Sequence, residues 1–346
     1  MNSAAPPILS VVIPTLGRRI LVQTLESLIR VRGFNELEII VAGKVSDPDV
    51  LVRLKILQQQ FPAITHLEVS FPVGDSSEKK NAGFRLARAA IVAFLDDDVV
   101  VGLDWAQRIL EPFNDSQVGL VSGPSLVPDD LSLMARLAGV ALASKASGYV
   151  SDRYVIGHSE VRQVKWSRLI GCNMAYRKTV LKEIGGFDPK FYPGEEMIAA
   201  FKATQAGYKL MFCPLATLHH YPRATLTRFW LQIYSYGATR IRLYRAGVEF
   251  EWTALIPALW VCSLVVLGLG ALWSHFARHL LVLDMILYLL VALGITVDKV
   301  KKTGKTRDLF IFFLIPVMHL SYGLAEWVEL FMPNKDFSDQ SVRKTT

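Results

Sequence analysis

Apolar positions come in short bursts through residues 1–220 of the chain and in long runs after residue 250. The bursts ILSVVIP (Ile8–Pro14), ELEIIVAG (Glu36–Gly43), ITHLEVSF (Ile64–Phe71) and AAIVAFL (Ala89–Leu95) are of strand length and rich in Val, Ile and Phe, the pattern of strands buried on both faces. Between them RILVQTLESLIR (Arg19–Arg30) and VLVRLKILQQQF (Val50–Phe61) space their apolar residues at three and four, as amphipathic helices do. This alternation predicts an α/β fold built on a doubly wound, mainly parallel sheet. Ligands of such sheets bind beyond the carboxyl ends of the strands. At one of those ends the run Ala89–Leu95 is followed by three consecutive carboxylates, Asp96, Asp97 and Asp98.

The long runs predict something else. Thr253–Trp273 carries no charge over 21 residues, enough at about 1.5 Å per residue to cross a hydrocarbon layer of roughly 30 Å. Leu280–Val297 is shorter and holds Asp284, and Leu309–Met332 holds His319, Glu326 and Glu329. Ionisable groups at such depth are functional candidates unless they serve helix packing. About three transmembrane helices follow. Arg223, Arg228, Arg240, Arg242 and Arg245 precede the first run, and the loop DKVKKTGKTRD separates the second from the third, so the positive-inside rule puts both on the cytoplasmic side of the plasma (inner) membrane. No charged segment followed by an apolar stretch and a cleavage site opens the chain, so no signal peptide is expected.

Composition refines this picture only slightly. Hydrophobic residues make up 51% and the net charge is +7. The basic residues cluster beside the apolar runs and no nucleic-acid-binding motif is present, so the charge is assigned to anionic lipid and nucleic acid is not an expected partner. Cys172, Cys213 and Cys262 are an odd, scattered set that reads as reduced thiols.

Strand alternation sends Asp96 and Asp98 to one side and Asp97 to the other, so a hard divalent cation, Mg²⁺ or Mn²⁺, can take oxygens from the first and third while it also binds a diphosphate. Downstream, GCNMAYRKTVLKEIGGFDPKFYPGEEMIAAFKATQAGYKLMFCPLATLHHYPR (Gly171–Arg223) presents a Gly-Gly-Phe-Asp turn, a Gly-Glu-Glu sequence opening a helix and a histidine pair after a short apolar run. Together with LSVVIPTLGR near the start and KKNAGFRLARAAIVAFLDDDV in the middle, this ordered set resembles the family-2 glycosyltransferases of the GT-A fold over roughly Leu9 to Arg245. LIPVMHLSYGLAEWVELF is more loosely similar to the last span of membrane-bound exopolysaccharide glycosyltransferases of the succinoglycan type.

The resemblance implies roles position by position. Asp96 and Asp98 match the DxD element that binds the metal and the diphosphate of a nucleotide-sugar donor. Glu195 and Glu196 match a Glu-Asp pair whose second carboxylate is the general base, which makes Glu196 the candidate, with Glu195 able to share the role. Glu in place of Asp adds about 1 Å of reach, and reach matters to a base that must meet a hydroxyl. His220 falls where the family has a histidine that can complete the metal site, with His219 its rival. Pro14, Thr15, Lys80, Asn81, Asp97 and Asn173 fall on donor-contacting segments. Where the family has an Asp that recognises the nucleotide base, this chain has Ala42, and only Asp47 survives, which leaves the base open. Gln232 is followed by Ser235 and Tyr236 where processive synthases carry Gln-x-x-Arg-Trp, so addition of one sugar is expected.

The stretch from Thr225 to Arg245 mixes aromatic residues with arginines, the composition of a helix in the membrane interface, with its arginines expected to hold anionic lipid and an acceptor phosphate. The expected organisation is a cytoplasmic GT-A domain over residues 1–222, interfacial helices over 223–250, the spanning region over 251–333 and a tail over 334–346. The expected acceptor is a lipid-linked, polyprenyl-type glycan. Two rivals stay open. A sugar-nucleotide nucleotidyltransferase would need a Gly-rich, Arg-Lys phosphate loop, which PTLGRR matches poorly. A non-catalytic membrane scaffold would leave the aspartates to Ca²⁺ or to nothing.

Overall fold

The structure, a computed structural model, describes residues 6–72, 75–156 and 160–332. The described residues form two compact units, one comprising residues 6–126 together with Asp152–Tyr221, the other Val127–Ser151 together with residues 222–332.

The first unit is the expected α/β domain. Its strands are β1 (Leu9–Pro14), β2 (Leu37–Ala42), β3 (Ile64–Leu67), β4 (Ile91–Leu95), β5 (Val99–Val101), β6 (Val118–Ser122), β7 (Ser125–Leu126), β8 (Arg162–Gln163), β9 (Asn173–Arg177), β10 (Lys209–Phe212) and β11 (Leu218–His220). Among the described residues, eight of them form a sheet in the order β3-β2-β1-β4-β9-β6-β10-β8, and β5, β11 and β7 form a small second one. The four bursts read from the sequence are β1 to β4, all mutually parallel where they pair. β1, β2 and β4 are almost wholly buried, as strands covered by helices on both faces must be. The helices Leu21–Ile29 and Pro48–Gln60 cover this half, with Leu21, Leu25, Leu28, Leu54 and Leu57 in the core.

β9 departs from the parallel pattern. It runs antiparallel between β4 and β6, with Asn173 opposite Leu95 and Met174 opposite Ser122. It therefore starts at the edge where its neighbours end, and the segment before it opens on the same side as the three aspartates. β5 and β11 pair antiparallel just beyond that edge, with His220 opposite Val99.

In the second unit, three helical segments among the described residues are long and apolar enough to cross a membrane: Trp252–Gly270, His275–Thr303 and Thr306–Phe331. Their polar residues face one another. Asp284 Oδ2 accepts from Ser263 Oγ at 3.3 Å, and His319 sits between the Tyr288 hydroxyl at 2.9 Å and the Ala146 carbonyl at 2.8 Å. Helix packing accounts for both groups.

The helix Leu226–Arg245 corrects an expectation. It packs along the helix Ile311–Phe331, where Gly237 admits the backbone of Tyr322 so closely that a Cβ would lie 2.3 Å from its carbonyl oxygen. Arg242 pairs with Glu329 at 2.9 Å, and Arg245 donates to the carbonyls of Glu329 at 3.0 Å and Leu330 at 2.8 Å. Arg240 is buried and reaches the Tyr322 hydroxyl. These three guanidiniums hold the last helix and are not left for lipid or an acceptor phosphate, because its carboxylate and terminal carbonyls would otherwise lack partners.

A second difference concerns Val127–Ser151. It was expected within the catalytic domain, yet it belongs to the unit of the apolar helices. Its helix Leu133–Leu142 is buried over most of its length. Arg136 in that helix makes a two-pronged pair with Asp308, Nε and Nη2 each 2.8 Å from a carboxylate oxygen, both side chains buried. The expected tail after residue 333 lies outside the described residues.

Removing one partner of this pair strands the other charge, a loss of about 3–5 kcal/mol, whereas apolar replacement of both is close to neutral. Arg136→Met and Asp308→Leu should each lower the melting temperature in detergent, and the double variant should recover most of the loss. Equal melting temperatures for the singles and the double would refute this account.

Candidate active site

The three aspartates do not continue β4 but form the turn that leads into β5. The helix Leu21–Ile29 holds this turn, since Thr24 Oγ1 donates to the Asp97 carbonyl at 3.0 Å and accepts from the Val99 amide at 3.3 Å. The turn still sorts the carboxylates as expected. Asp97 points back to the loop after β1, where it accepts from Thr15 Oγ1 at 2.6 Å and the Leu16 amide at 3.2 Å and pairs with Arg18. Asp98 is also buried. Its Oδ2 lies 3.0 Å from Arg18 Nη1 and its Oδ1 lies 3.1 Å from His220 Nε2. Asp96 completes the group, Oδ2 4.0 Å from the same imidazole nitrogen.

Strand register decides between the two histidines. Pairing His220 with Val99 places it beside Asp98, and His219, opposite Val100, is exposed on the other side. One ligand atom from each of Asp96, Asp98 and His220 lies within 4.8 Å of the others. Two carboxylate oxygens and an imidazole nitrogen converging in this way fit a Mn²⁺ or Mg²⁺ ion, and the imidazole suits Mn²⁺ better. Desolvation, and then the charge of Asp98, raises the Asp96 carboxyl to about 6. Burial works against the Arg18 guanidinium, but the charges of Asp98 and Asp97 outweigh it and hold its pKa above the ordinary value.

The second carboxylate pair opens the helix Glu195–Gln205, whose N-cap, Gly194, has φ of 124°, a conformation that favours glycine. Glu195 is 1% exposed, and its Oε2 accepts from the Gly194 amide at 3.1 Å. Its Oε1 lies 3.1 Å from Lys80 Nζ, and the same ammonium pairs with Glu196 Oε1. Burial, and then the charge of Glu196, raises the Glu195 carboxyl to about 7 although Lys80 opposes the shift. Glu196 keeps 19% of its side chain exposed.

The residues expected to touch the donor are drawn to the same edge of the sheet, but several are engaged elsewhere. Lys80 is 1% exposed and committed to the two glutamates. Asn81 Nδ2 donates to the Phe187 carbonyl at 2.8 Å and its Oδ1 accepts the Phe187 amide at 2.9 Å, so it clasps the Gly-Gly-Phe-Asp turn. Asn173 accepts from Trp105 Nε1 and donates to the carbonyls of Pro124 and Ala216, which fastens β9 to the strands around the site. Asp47 caps the helix Pro48–Gln60 through the amides of Asp49 and Val50 and pairs with Arg19, whose hydrogen bond holds its carboxyl below the usual range. Pro14 ends β1, and the Thr15 carbonyl accepts from Lys79 Nζ at 2.8 Å. Two contributors carried weaker signals. Arg18 closes the LSVVIPTLGR stretch and Gly171 opens the Gly171–Arg223 stretch, and neither is singled out by sequence alone. A Cβ on Gly171 would lie 2.6 Å from Cδ of Glu196.

A family model described as "glycosyltransferase like family 2" matches residues 6–233. The chain belongs to that family. Among its relatives is the pre-mycofactocin glycosyltransferase of Mycobacterium tuberculosis, 31% identical over 203 residues, which are 56% of this chain and 41% of the relative. The O-antigen chain rhamnosyltransferase of Salmonella anatum is 26% identical over 37% of this chain and 40% of its own. The GalNAc(5)-diNAcBac-PP-undecaprenol beta-1,3-glucosyltransferase of Campylobacter jejuni is 34% identical over 39% of this chain and 44% of its own. The chain thus spans well under half the length of each relative. A mannosyltransferase of Pyrobaculum calidifontis, solved with GDP-Man and Mn²⁺, shares the fold with a TM-score of 0.68 at 17% identity, over 95% of this chain and 88% of that one. The sheet is accordingly of the GT-A type.

Two neighbouring aspartates should behave differently. Asp98→Asn removes charge from the cation site and should abolish Mn²⁺ binding followed by electron paramagnetic resonance, with the melting temperature little changed. Asp97→Asn replaces one of the two acceptor oxygens shared among Thr15, Leu16 and Arg18 by a donor and removes the charge that faces Arg18, and should cost about 1–3 kcal/mol of stability. A stable Asp97→Asn variant that binds no Mn²⁺, beside an Asp98→Asn variant that binds it normally, would reverse the assignment.

Proposed function

We propose that the protein is a membrane-anchored glycosyltransferase that moves one sugar at a time from a nucleotide-sugar donor to a lipid-linked acceptor, of polyprenyl type, with inversion and with Mn²⁺ or Mg²⁺ bound. The observation that carries this reading is the meeting of two carboxylate groups, Asp96 and Asp98 with His220 in one and Glu196 in the other, at one edge of a GT-A sheet. The Asp96 and Asp98 carboxylates and the His220 imidazole would hold the cation. When bound, it supplies positive charge for the departing diphosphate.

Glu196 is the more exposed member of its pair and takes the proton of the acceptor hydroxyl. A single base opposite a leaving group gives one direct displacement, hence inversion. Family membership favours this chemistry over nucleotidyl transfer and over an inert scaffold. The lipid-linked acceptor is supported by two relatives, one named for O-antigen chains and one for an undecaprenyl-diphosphate substrate, and by the three apolar helices. Ser235 and Tyr236 after Gln232 support the non-processive reading. The basic loop around Lys299–Arg307 supports a cytoplasmic catalytic unit at the inner membrane.

The test of chemistry is nucleoside diphosphate release from UDP-glucose, GDP-mannose and dTDP-rhamnose by protein in nanodiscs, with and without undecaprenyl-linked glycans. Glu196→Gln should keep Mn²⁺ and nucleotide binding and lose turnover by roughly 10²- to 10⁴-fold. An active Glu196→Gln beside a dead Glu195→Gln would move the base by one residue. For orientation, a cysteine introduced by Gly304→Cys should resist an impermeant thiol reagent in intact cells and react after lysis. Labelling in intact cells would overturn the topology.

A further inference from the structure

Lys80 sits where a nucleotide contact was expected, yet its ammonium is sealed from solvent between Glu195 and Glu196, 5.4 Å from the centre of the Phe187 ring. We infer that Lys80 is the positioning residue of the Glu196 base, with Glu195 as its standing counter-ion, an inference that rests on the glycosyltransferase reading above.

Three features carry it. First, the two carboxylates are not equivalent. Glu195 is 1% exposed and spends one oxygen on Lys80 and the other on the Gly194 amide, so burial shuts it off from a substrate. Glu196 spends Oε1 on Lys80 and receives no hydrogen bond from the described residues at Oε2. Second, the wall beside Glu196 is the bare backbone of Gly171, where a Cβ would lie 2.6 Å from both Cδ and Oε1. The side chain is therefore confined on one side and tethered on the other. This answers the substitution of Glu for the family's Asp, since the additional rotatable bond brings freedom that the ammonium removes. Third, the next residue, Asn81, clasps the Phe187 backbone, so the helix Asp75–Leu86 grips the Gly-Gly-Phe-Asp turn and the helix Glu195–Gln205 with consecutive side chains.

The charge balance through turnover follows. Before reaction the ammonium faces two carboxylates. As the acceptor oxygen bonds to the sugar's anomeric carbon, the bond from that carbon to the diphosphate breaks and its electron pair leaves with the nucleoside diphosphate, while the hydroxyl proton passes to Glu196. Lys80 and Glu195 then remain as a neutral pair. A buried cation without such a partner would be strongly unfavourable.

The test compares Lys80→Met, the Lys80→Met/Glu195→Gln double variant and Glu196→Gln in nanodiscs. The double variant removes the cation together with its counter-ion and so guards against misfolding of the single one. Binding is read with UDP, GDP and dTDP in the presence of Mn²⁺, and turnover as diphosphate release from the matching sugar nucleotides. The double variant should bind nucleotide as the wild type does, with unchanged donor KM and a kcat lower by about 10²-fold, the effect of a displaced catalytic group. Adding Glu196→Gln to it should cost no more than Glu196→Gln alone, because residues acting through one another are not additive. Weakened nucleotide binding with unchanged kcat would make Lys80 a donor contact. Wild-type kcat and KM in the folded double variant would overturn the positioning role, and full activity of Glu196→Gln alone would overturn the base assignment on which it rests.

Discussion

Five carboxylates crowd one edge of the sheet, and the site exists because two basic side chains of the same chain hold them together. Arg18 bridges Asp97 and Asp98, and Lys80 bridges Glu195 and Glu196. In each case a cation from an early segment grips two consecutive acids from a later one. Like charges at this spacing repel strongly in a partly desolvated cleft, and isolated charges would not stay ionised there. The two carboxylates of each pair have different partners. Asp97 fastens the loop after β1 and Asp98 turns toward His220. Glu195 balances Lys80 and Glu196 turns toward the cleft.

The helix Asp75–Leu86 joins the two halves of this arrangement. Lys79 donates to the Thr15 carbonyl beside Asp97, Lys80 reaches the glutamates and Asn81 clasps Phe187. Three successive residues of one polar helix thus touch the loop after β1, the glutamate pair and the Gly-Gly-Phe-Asp turn. Gly83 in the same helix packs on β1, where a Cβ would meet Val12 at 2.4 Å. That close approach is what brings short reach within range of both sides.

Much of this was legible in the sequence, and the failures share a cause. β1 to β4 announced themselves because strands buried on both faces are continuous apolar runs. The apolar helices did so by length. Asp96 and Asp98 were legible because three acids after a strand have few purposes. The choice of His220 over His219 depended on the pairing of β11 with β5, which no local pattern encodes. The packing of Lys80 and Asn81 was not legible because a polar helix normally faces water, whereas Asp75, Ser77, Lys79 and Lys80 are buried here. The arginines of Leu226–Arg245 misled for the same reason. An amphipathic face can meet lipid or another helix, and the deciding residues, Gly237 and Glu329, lie on two separate helices. Polar residues pair across long sequence separations, and pattern reading has no access to that range.

The placement of Val127–Ser151 bears on how the protein is made. This segment leaves the ribosome well before the helices it packs with, and Asp308, the partner of Arg136, is synthesised 172 residues later. Until then Leu137, Ala138, Val140 and Ala141 have nothing of their own unit to cover them, and a guanidinium destined for burial waits in the open. The catalytic strands on either side of the segment can pair meanwhile, leaving it as an apolar loop held out from a forming sheet. Completion of the second unit thus waits on the apolar helices, and until Asp308 has been made this segment stays an apolar, charged stretch that its own residues have no means to hide.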